Sequence, residues 1–179
     1  MALPPLYDLL VCNLLSMPDL LVKLYELPAL EPLVEKQRAS GVEIRRALAP
    51  EKHVVCDWIE ANFSRGWQSE AEIAFSHTPI GVFVAARDGR CIGFCCYDAT
   101  MRGFYGPVGV DKDERKSGIG EALSLATLHA MRADGYGYGV IGWAGPVDFY
   151  ARICGATIIE NSQPGVYKGL LKSRAIAEE

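Results

Sequence analysis

The stretch ERKSGIGEAL, residues 114–123, sets a basic pair, Arg115 and Lys116, ahead of Ser117, Gly118, Ile119 and Gly120. Glycines let successive backbone N–H groups point into one concavity, and a helix that starts there adds about half a positive charge at its N-terminus. An anionic diphosphate suits such a place. Two familiar phosphate loops do not fit it. A dinucleotide fingerprint requires a third glycine or alanine where Leu123 stands, and the chain holds no Gly-Lys-Ser/Thr triplet for a P-loop. Taken alone, the stretch leaves two readings open: an anion cradle, or a solvated turn whose glycines merely fit a bend.

The other reactive side chains exclude more than they nominate. Six cysteines (Cys12, Cys56, Cys91, Cys95, Cys96 and Cys154) form no C-x-x-C pair, and His53, His77 and His129 are scattered, so no metal site is expected. Cysteine density is too low for a disulfide-stapled secreted scaffold, which points to reduced thiols and a cytoplasmic setting. The vicinal Cys95-Cys96 pair, on alternate faces of a strand, reads as small apolar filler. With 18 basic and 22 acidic residues the net charge is -4, against the basic excess that nucleic-acid binding needs. The N-terminal stretch lacks a basic leader and carries Asp8 and Asp19, so neither a signal peptide nor a membrane span is expected. Residues 1–16 read as a non-native or start-site extension ahead of Met17.

A chain of 179 residues, half of them apolar and 22% charged, is suited to one folded domain. Residues 17–40 suggest two short helical pieces with Leu20, Leu21, Leu24 and Leu27 on one side, broken at Pro28 and Pro32 and capped by Gly41. A strand follows from Val42, and Pro50 opens a helix with Val54, Val55, Trp58, Ile59 and Phe63 at helical spacing. Residues 64–79 read as a loop and a short helix carrying Glu70 and Glu72. Two apolar runs around Asp88-Gly89 predict a hairpin. The strand GFYGPVGV stops at Val110, its ladder interrupted by Gly106, Pro107 and Gly109. A helix then runs from Gly118 to Gly135, followed by a strand (YGYGVIGWAG), a helix from near Pro146, a strand (ATIIE) and a last strand (GVYKGLL). The order predicts an α+β, three-layer fold, with a mixed, mostly antiparallel sheet flanked by helices. Residues 1–41 are expected to precede a domain spanning 42–179.

The wider stretch VDKDERKSGIGEAL resembles the V-x-x-x-x-[RQ]-x-x-G-x-[GA] signature of the GNAT superfamily of acetyl-CoA-dependent N-acyltransferases, with Val110, Arg115, Gly118 and Gly120 at the signature positions. FYARICGA, with Phe149 and Tyr150, looks like the superfamily's F-Y-x-x-x-G-F segment. The resemblance covers roughly residues 42–171, with two departures: Trp143 and Pro146 stand where many relatives have Asn and Ala, and one extra residue separates Tyr150 from Gly155. It implies that Arg115, Lys116, Ser117, Gly118, Ile119 and Gly120 hold the pyrophosphate of coenzyme A. It implies also that Val108, Gly109 and Val110 pair with the pantetheine arm, one of their N–H groups serving the oxyanion.

The chemistry so implied is direct attack of a neutral amine on the acetyl-CoA thioester, with Tyr150 donating a proton to the departing thiolate. Glu70, Glu72 and Asp98 are candidates to receive the amine proton, Glu70 first. Trp67, Tyr97 and Tyr105 are candidates to line the acceptor cleft. The expected partners are acetyl-CoA and an amine, from a small molecule or a peptide, with no nucleic acid or membrane. Dimers are common in the families the chain resembles, so a homodimer is among the expectations. Two other function classes stay open: a catalytically silent acyl-CoA sensor, and a nucleotide-binding α/β protein.

Overall fold

The computed structural model describes residues 17–171. Along it run β1 (Leu20–Lys23), α1 (Glu31–Ala39), β2 (Glu43–Arg46), α2 (Lys52–Asn62), α3 (Arg65–Phe75), β3 (Val82–Arg87), β4 (Arg90–Tyr97), β5 (Phe104–Val110), α4 (Ile119–Ala133), β6 (Tyr138–Ile141), α5 (Val147–Cys154) and β7 (Thr157–Ile158). The strands form one mixed sheet in the order β2-β3-β4-β5-β6-β1-β7. Every neighbouring pair is antiparallel except β5 with β6. Asp88 and Gly89 take φ of 50° and 73°, the turn that lets β3 fold straight back as β4.

Period-two alternation divides the core between the two faces of the sheet. Phe94 and Cys96 pack with Val55, Ile59, Ala71 and Phe75 of α2 and α3. Cys95 and Tyr97 pack with Leu123, Leu125, Leu128 and Met131 of α4 and with Ile153 of α5. The two vicinal thiols are thus apolar filler on opposite faces, and burial pushes the Cys95 thiol up to about 12. Such leucines at no more than 1% exposure contribute about 1.5–3 kcal/mol each, which is why α4 holds its register across the sheet.

Several expectations fail for identifiable reasons. Residues Leu20–Lys23 form a strand and not a helix, because Leu20 and Val22 are buried with a period of two, and the backbone is matched by β6, from Leu20↔Ile141 to Lys23↔Tyr138. Leu20, Leu21, Leu24 and Leu27 suit a helix while Leu20, Val22 and Leu24 suit a strand, and only the open sheet edge decides. GVYKGLL is a 3-10 turn over Gly165–Tyr167 and not a strand, since Gly165 and Gly169 take φ of 61° and 81° and the position beside β6 is filled by β1. Pro32 opens α1 and does not break it, and the segment after Ser64 is nearly all helix, with the Ser64 hydroxyl accepting from the Trp67 amide. β1 and α1, both ahead of residue 42, pack into the same core as α4. The expectation for residues 1–16 lies outside the described residues.

Candidate functional site

β5 and β6 pair at only two positions, Phe104↔Val140 and Tyr105↔Ile141. Beyond Tyr105, β5 stays on β4, with Val108 opposite Cys95 and Val110 opposite Gly93, while β6 ends at Ile141. Alternate N–H and C=O groups of Gly106–Val110 therefore face a splay that no strand fills. Gly109 owes its place to the other face of the sheet: a Cβ there would stand 2.4 Å from the Phe63 ring. Phe63 in turn stacks on Trp67, ring centres 5.1 Å apart, which ties the end of β5 to the start of α3.

The loop after β5 leads into α4. Gly118 is its N-cap with φ of 91°, a left-handed conformation that costs other residues roughly 1–2 kcal/mol. Lys116 also takes positive φ, 67°. The first α4 bond runs from the Ala122 amide to the Gly118 carbonyl, so the amides of Ile119, Gly120 and Glu121 have no intrahelical acceptor. Behind the loop, Gln37 of α1 is 2% exposed and donates from Nε2 to the Ser117 carbonyl at 3.1 Å. The Ser117 hydroxyl donates to Glu114 O at 2.6 Å, and Glu114 is ion-paired with Arg87. Arg115 Nε reaches back to Val110 O at 3.3 Å. A Cβ on Gly120 would meet Val110 Cγ2 at 3.6 Å, an ordinary contact. The protein itself leaves room at Gly120, and the loop has the amides, the dipole and the cations to hold an anion.

The splay opens into a cavity of about 820 Å³. Tyr150 of α5 stands in its wall, 7% exposed, edge-on to Tyr105 with ring centres 5.9 Å apart. Burial pushes the Tyr150 phenol well above its ordinary range, helped by the neighbouring Cys95 and Cys154 and opposed by hydrogen bonding to Tyr105. Tyr105 is bonded to the Ser124 hydroxyl at 2.6 Å. Across the cavity, Glu70 of α3 accepts a hydrogen bond from the Thr100 hydroxyl. Its carboxyl is raised by burial, with the Thr100 bond pulling the other way. Tyr167, pushed up to about 12 by burial, bonds with Thr100 and stacks on Trp143 at 3.8 Å. Asp19 fixes that wall, its Oδ1 accepting from the Trp143 amide at 3.0 Å while its own amide donates to the Ser162 hydroxyl at 2.8 Å.

Of the sequence-predicted residues, the fold brings Tyr150, Glu70, Val108, Trp67 and Tyr105 to one cavity, at the foot of the splay that leads to the Arg115–Gly120 loop. Asp98 does not join them: its oxygens accept from the Gly103 amide at 2.6 Å and the Tyr136 hydroxyl at 2.7 Å, which closes the turn between β4 and β5. Tyr97 is also elsewhere, donating to Asp134 at 2.6 Å and accepting from Arg46 at 2.9 Å. Glu72 points to a smaller pocket beside His53 and Cys56. Sequence reasoning missed Gln37, Thr100, Asp19 and Tyr167. None carries a local motif, and only their long-range bonds reveal them. Among the described residues no group of His, Cys, Asp and Glu could hold a metal ion, and no helix is long and apolar enough to cross a membrane.

A comparison with curated proteins returned no match. Among solved structures, a fungal multi-domain β-N-acetylglucosaminidase with a GCN5-related glucosamine N-acetyltransferase region aligns over 80% of this chain and 20% of its own, at TM-score 0.66 and 17% identity. A GCN5-related N-acetyltransferase from Sphaerobacter thermophilus aligns over 80% of this chain and 48% of its own, at TM-score 0.63 and 18% identity. The chain thus spans about a fifth and about half of these two, and they share its fold. The model of the GNAT acetyltransferase family matches residues 52–156, more than half the chain, from the start of α2 through the Arg115–Gly120 loop to the end of α5. The splayed β5–β6 pair, the glycine N-cap of α4 and the buried tyrosine of α5 all lie inside that span, and the chain belongs to the GNAT acetyltransferase family.

Proposed function

We propose that the chain is an N-acetyltransferase that moves an acetyl group from acetyl-CoA to a primary amine within a ternary complex. The carrying observation is the splay beyond Tyr105, a free strand edge that runs from the Arg115–Gly120 loop to a cavity containing both Glu70 and Tyr150. Acetyl-CoA, when bound, supplies an activated thioester. The amides of Arg115–Gly120 and the Arg115 and Lys116 cations receive its diphosphate, and the open edge of Val108–Val110 pairs with its amide-bearing arm.

Glu70 receives the proton that the amine must lose before or during attack. A carboxyl raised by burial is a stronger base than a solvated one. As the N–C bond forms and the C–S bond breaks, the sulfur acquires one proton; any further proton of an ammonium substrate leaves to solvent. Tyr150, held neutral by burial, offers its hydroxyl hydrogen to the sulfur and is reprotonated from solvent. Because its phenol is raised, Tyr150 acts by hydrogen-bond donation that completes only as charge gathers on the sulfur.

The test is an amine-panel assay that reads free thiol, run beside calorimetric binding of acetyl-CoA. Thiol release with at least one amine is the expected result, and Tyr150→Phe should lower kcat by about 10- to 100-fold with acetyl-CoA affinity retained. Acetyl-CoA binding with no thiol release from any amine would assign the chain to a coenzyme sensor instead.

A further inference from the structure

The acceptor side of the cavity has an unusual charge inventory. Among the described residues Glu70 is the one acid that lines it, the buried Asp19 standing behind Trp143 and Tyr167 with its Oδ1 taken up by the Trp143 amide, and no Lys, Arg or His lines it. The remaining wall is apolar and aromatic: Trp67, Ile73, Met101, Trp143, Tyr167 and Leu170. Ile73 and Leu170 are exposed to 52% and 64%, so the mouth is apolar as well as the interior. Thr100 and Tyr167 supply hydroxyls, and both are already engaged beside Glu70. Two chain segments distant from each other close this side, Met17 from the described N-terminal end and Val166, Tyr167 and Leu170 from the other.

We infer that the acceptor is a monoamine on an apolar or aromatic body, with one positive charge and no carboxylate or phosphate; this rests on the transferase reading of the same cavity. One carboxylate balances one ammonium. A second ammonium, as in a polyamine or an aminoglycoside, would leave water without a partner in this cavity and would be strongly disfavoured. An α-amino acid or phosphorylated amine would bring an anion to a wall whose described residues hold no cation for it and already hold a carboxylate. The aromatic planes of Trp67, Trp143 and Tyr167 instead offer surface to a hydrocarbon or ring.

The test ranks kcat/KM over 2-phenylethylamine, hexylamine, 1,6-diaminohexane, spermidine, kanamycin and glutamate at one acetyl-CoA concentration, with acetyl-CoA affinity measured separately by calorimetry. The two apolar monoamines should exceed the polycations and glutamate by at least tenfold. Ile73→Asp, one turn from Glu70 at an exposed position, should raise the diaminohexane-to-hexylamine ratio by at least fivefold, since it adds the second carboxylate that the diamine lacks. Preference for spermidine, kanamycin or glutamate with acetyl-CoA binding intact overturns the monoamine inference and leaves the transferase reading standing. No acetyl-CoA binding, or binding with no turnover of any amine, overturns both.

Discussion

The two halves of the proposed site, donor and acceptor, are made of different materials. The donor half, β5 and the loop to α4, is mostly backbone: unpaired strand groups, orphan helix amides and two left-handed residues, Lys116 and Gly118. It is continuous in sequence and lies inside residues 52–156, the span of the family match. The acceptor half is mostly side chains, drawn from α3, the turn after β4, the segment after β6 and both ends of the described chain. Met17, Val166, Tyr167 and Leu170 fall outside the family span. Backbone geometry can be kept by a few glycines in one stretch, whereas a side-chain wall changes with every substitution in several stretches. On the proposed function, that difference in construction predicts a donor half that relatives share and an acceptor half that they do not.

The contrast is broken most severely at Gly120. Gly120→Trp should fill the concavity and weaken acetyl-CoA binding by 100-fold or more in calorimetry, and Gly120→Ala, whose Cβ meets Val110 Cγ2 only at ordinary contact, should keep the thermal midpoint as the folding control. Retained affinity would remove the anion from this loop. Next comes Glu70→Gln, which should lower kcat/KM by about 100-fold or more and leave acetyl-CoA affinity unchanged. Its pH profile sharpens the assignment. A base must be unprotonated, so activity falls as pH drops through the Glu70 pKa, and burial places that limb above the ordinary carboxylate range. The limb should vanish in the glutamine variant.

Gln37→Met tests whether the donor loop is held from behind. Losing the bond to the Ser117 carbonyl should cost about 1 kcal/mol, read as roughly fivefold weaker acetyl-CoA binding with kcat unchanged. The smallest effect lies away from both halves. Glu51, lowered to about 2 by its bonds from Arg45 and then the Leu48 amide, contributes stability that is present above its ordinary value of 4.5 and lost as pH falls toward 2. Arg45→Met should cost about 0.5–1 kcal/mol near neutrality and markedly less at pH 2 in urea melts, with both halves of the proposed site unaffected.

The same division explains what could be read in advance. The hairpin at Asp88-Gly89, the stop of β5 at Val110 and the helix behind Gly118 are local consequences of turn and capping chemistry, and the fold follows them. Tyr150 is nameable from the F-Y segment it shares with the superfamily and Glu70 only as one of three candidate carboxylates, and their meeting in one cavity depends on three-dimensional packing. Asp98 shows the converse: a carboxylate after a strand looks chemically free until the Gly103 amide and Tyr136 are seen to occupy it. Leu20–Lys23 and Gly165–Tyr167 were misread because both depend on which segment takes the position beside β6, a competition between stretches far apart in the chain.

That competition has a consequence for how the protein is made. β1 is the first described strand to leave the ribosome, but its hydrogen-bonding partners are Tyr138–Ile141 and Thr157–Ile158, and Asp19 beside it bonds Ser162, 143 residues on. A nascent chain therefore carries an apolar strand with open edges until residues 138–158 are made, and in that interval chaperone capture and edge-to-edge aggregation compete with folding. A translation product that stops short of β6 leaves this strand without either neighbour, so the described sheet closes only once residues 138–158 have been made.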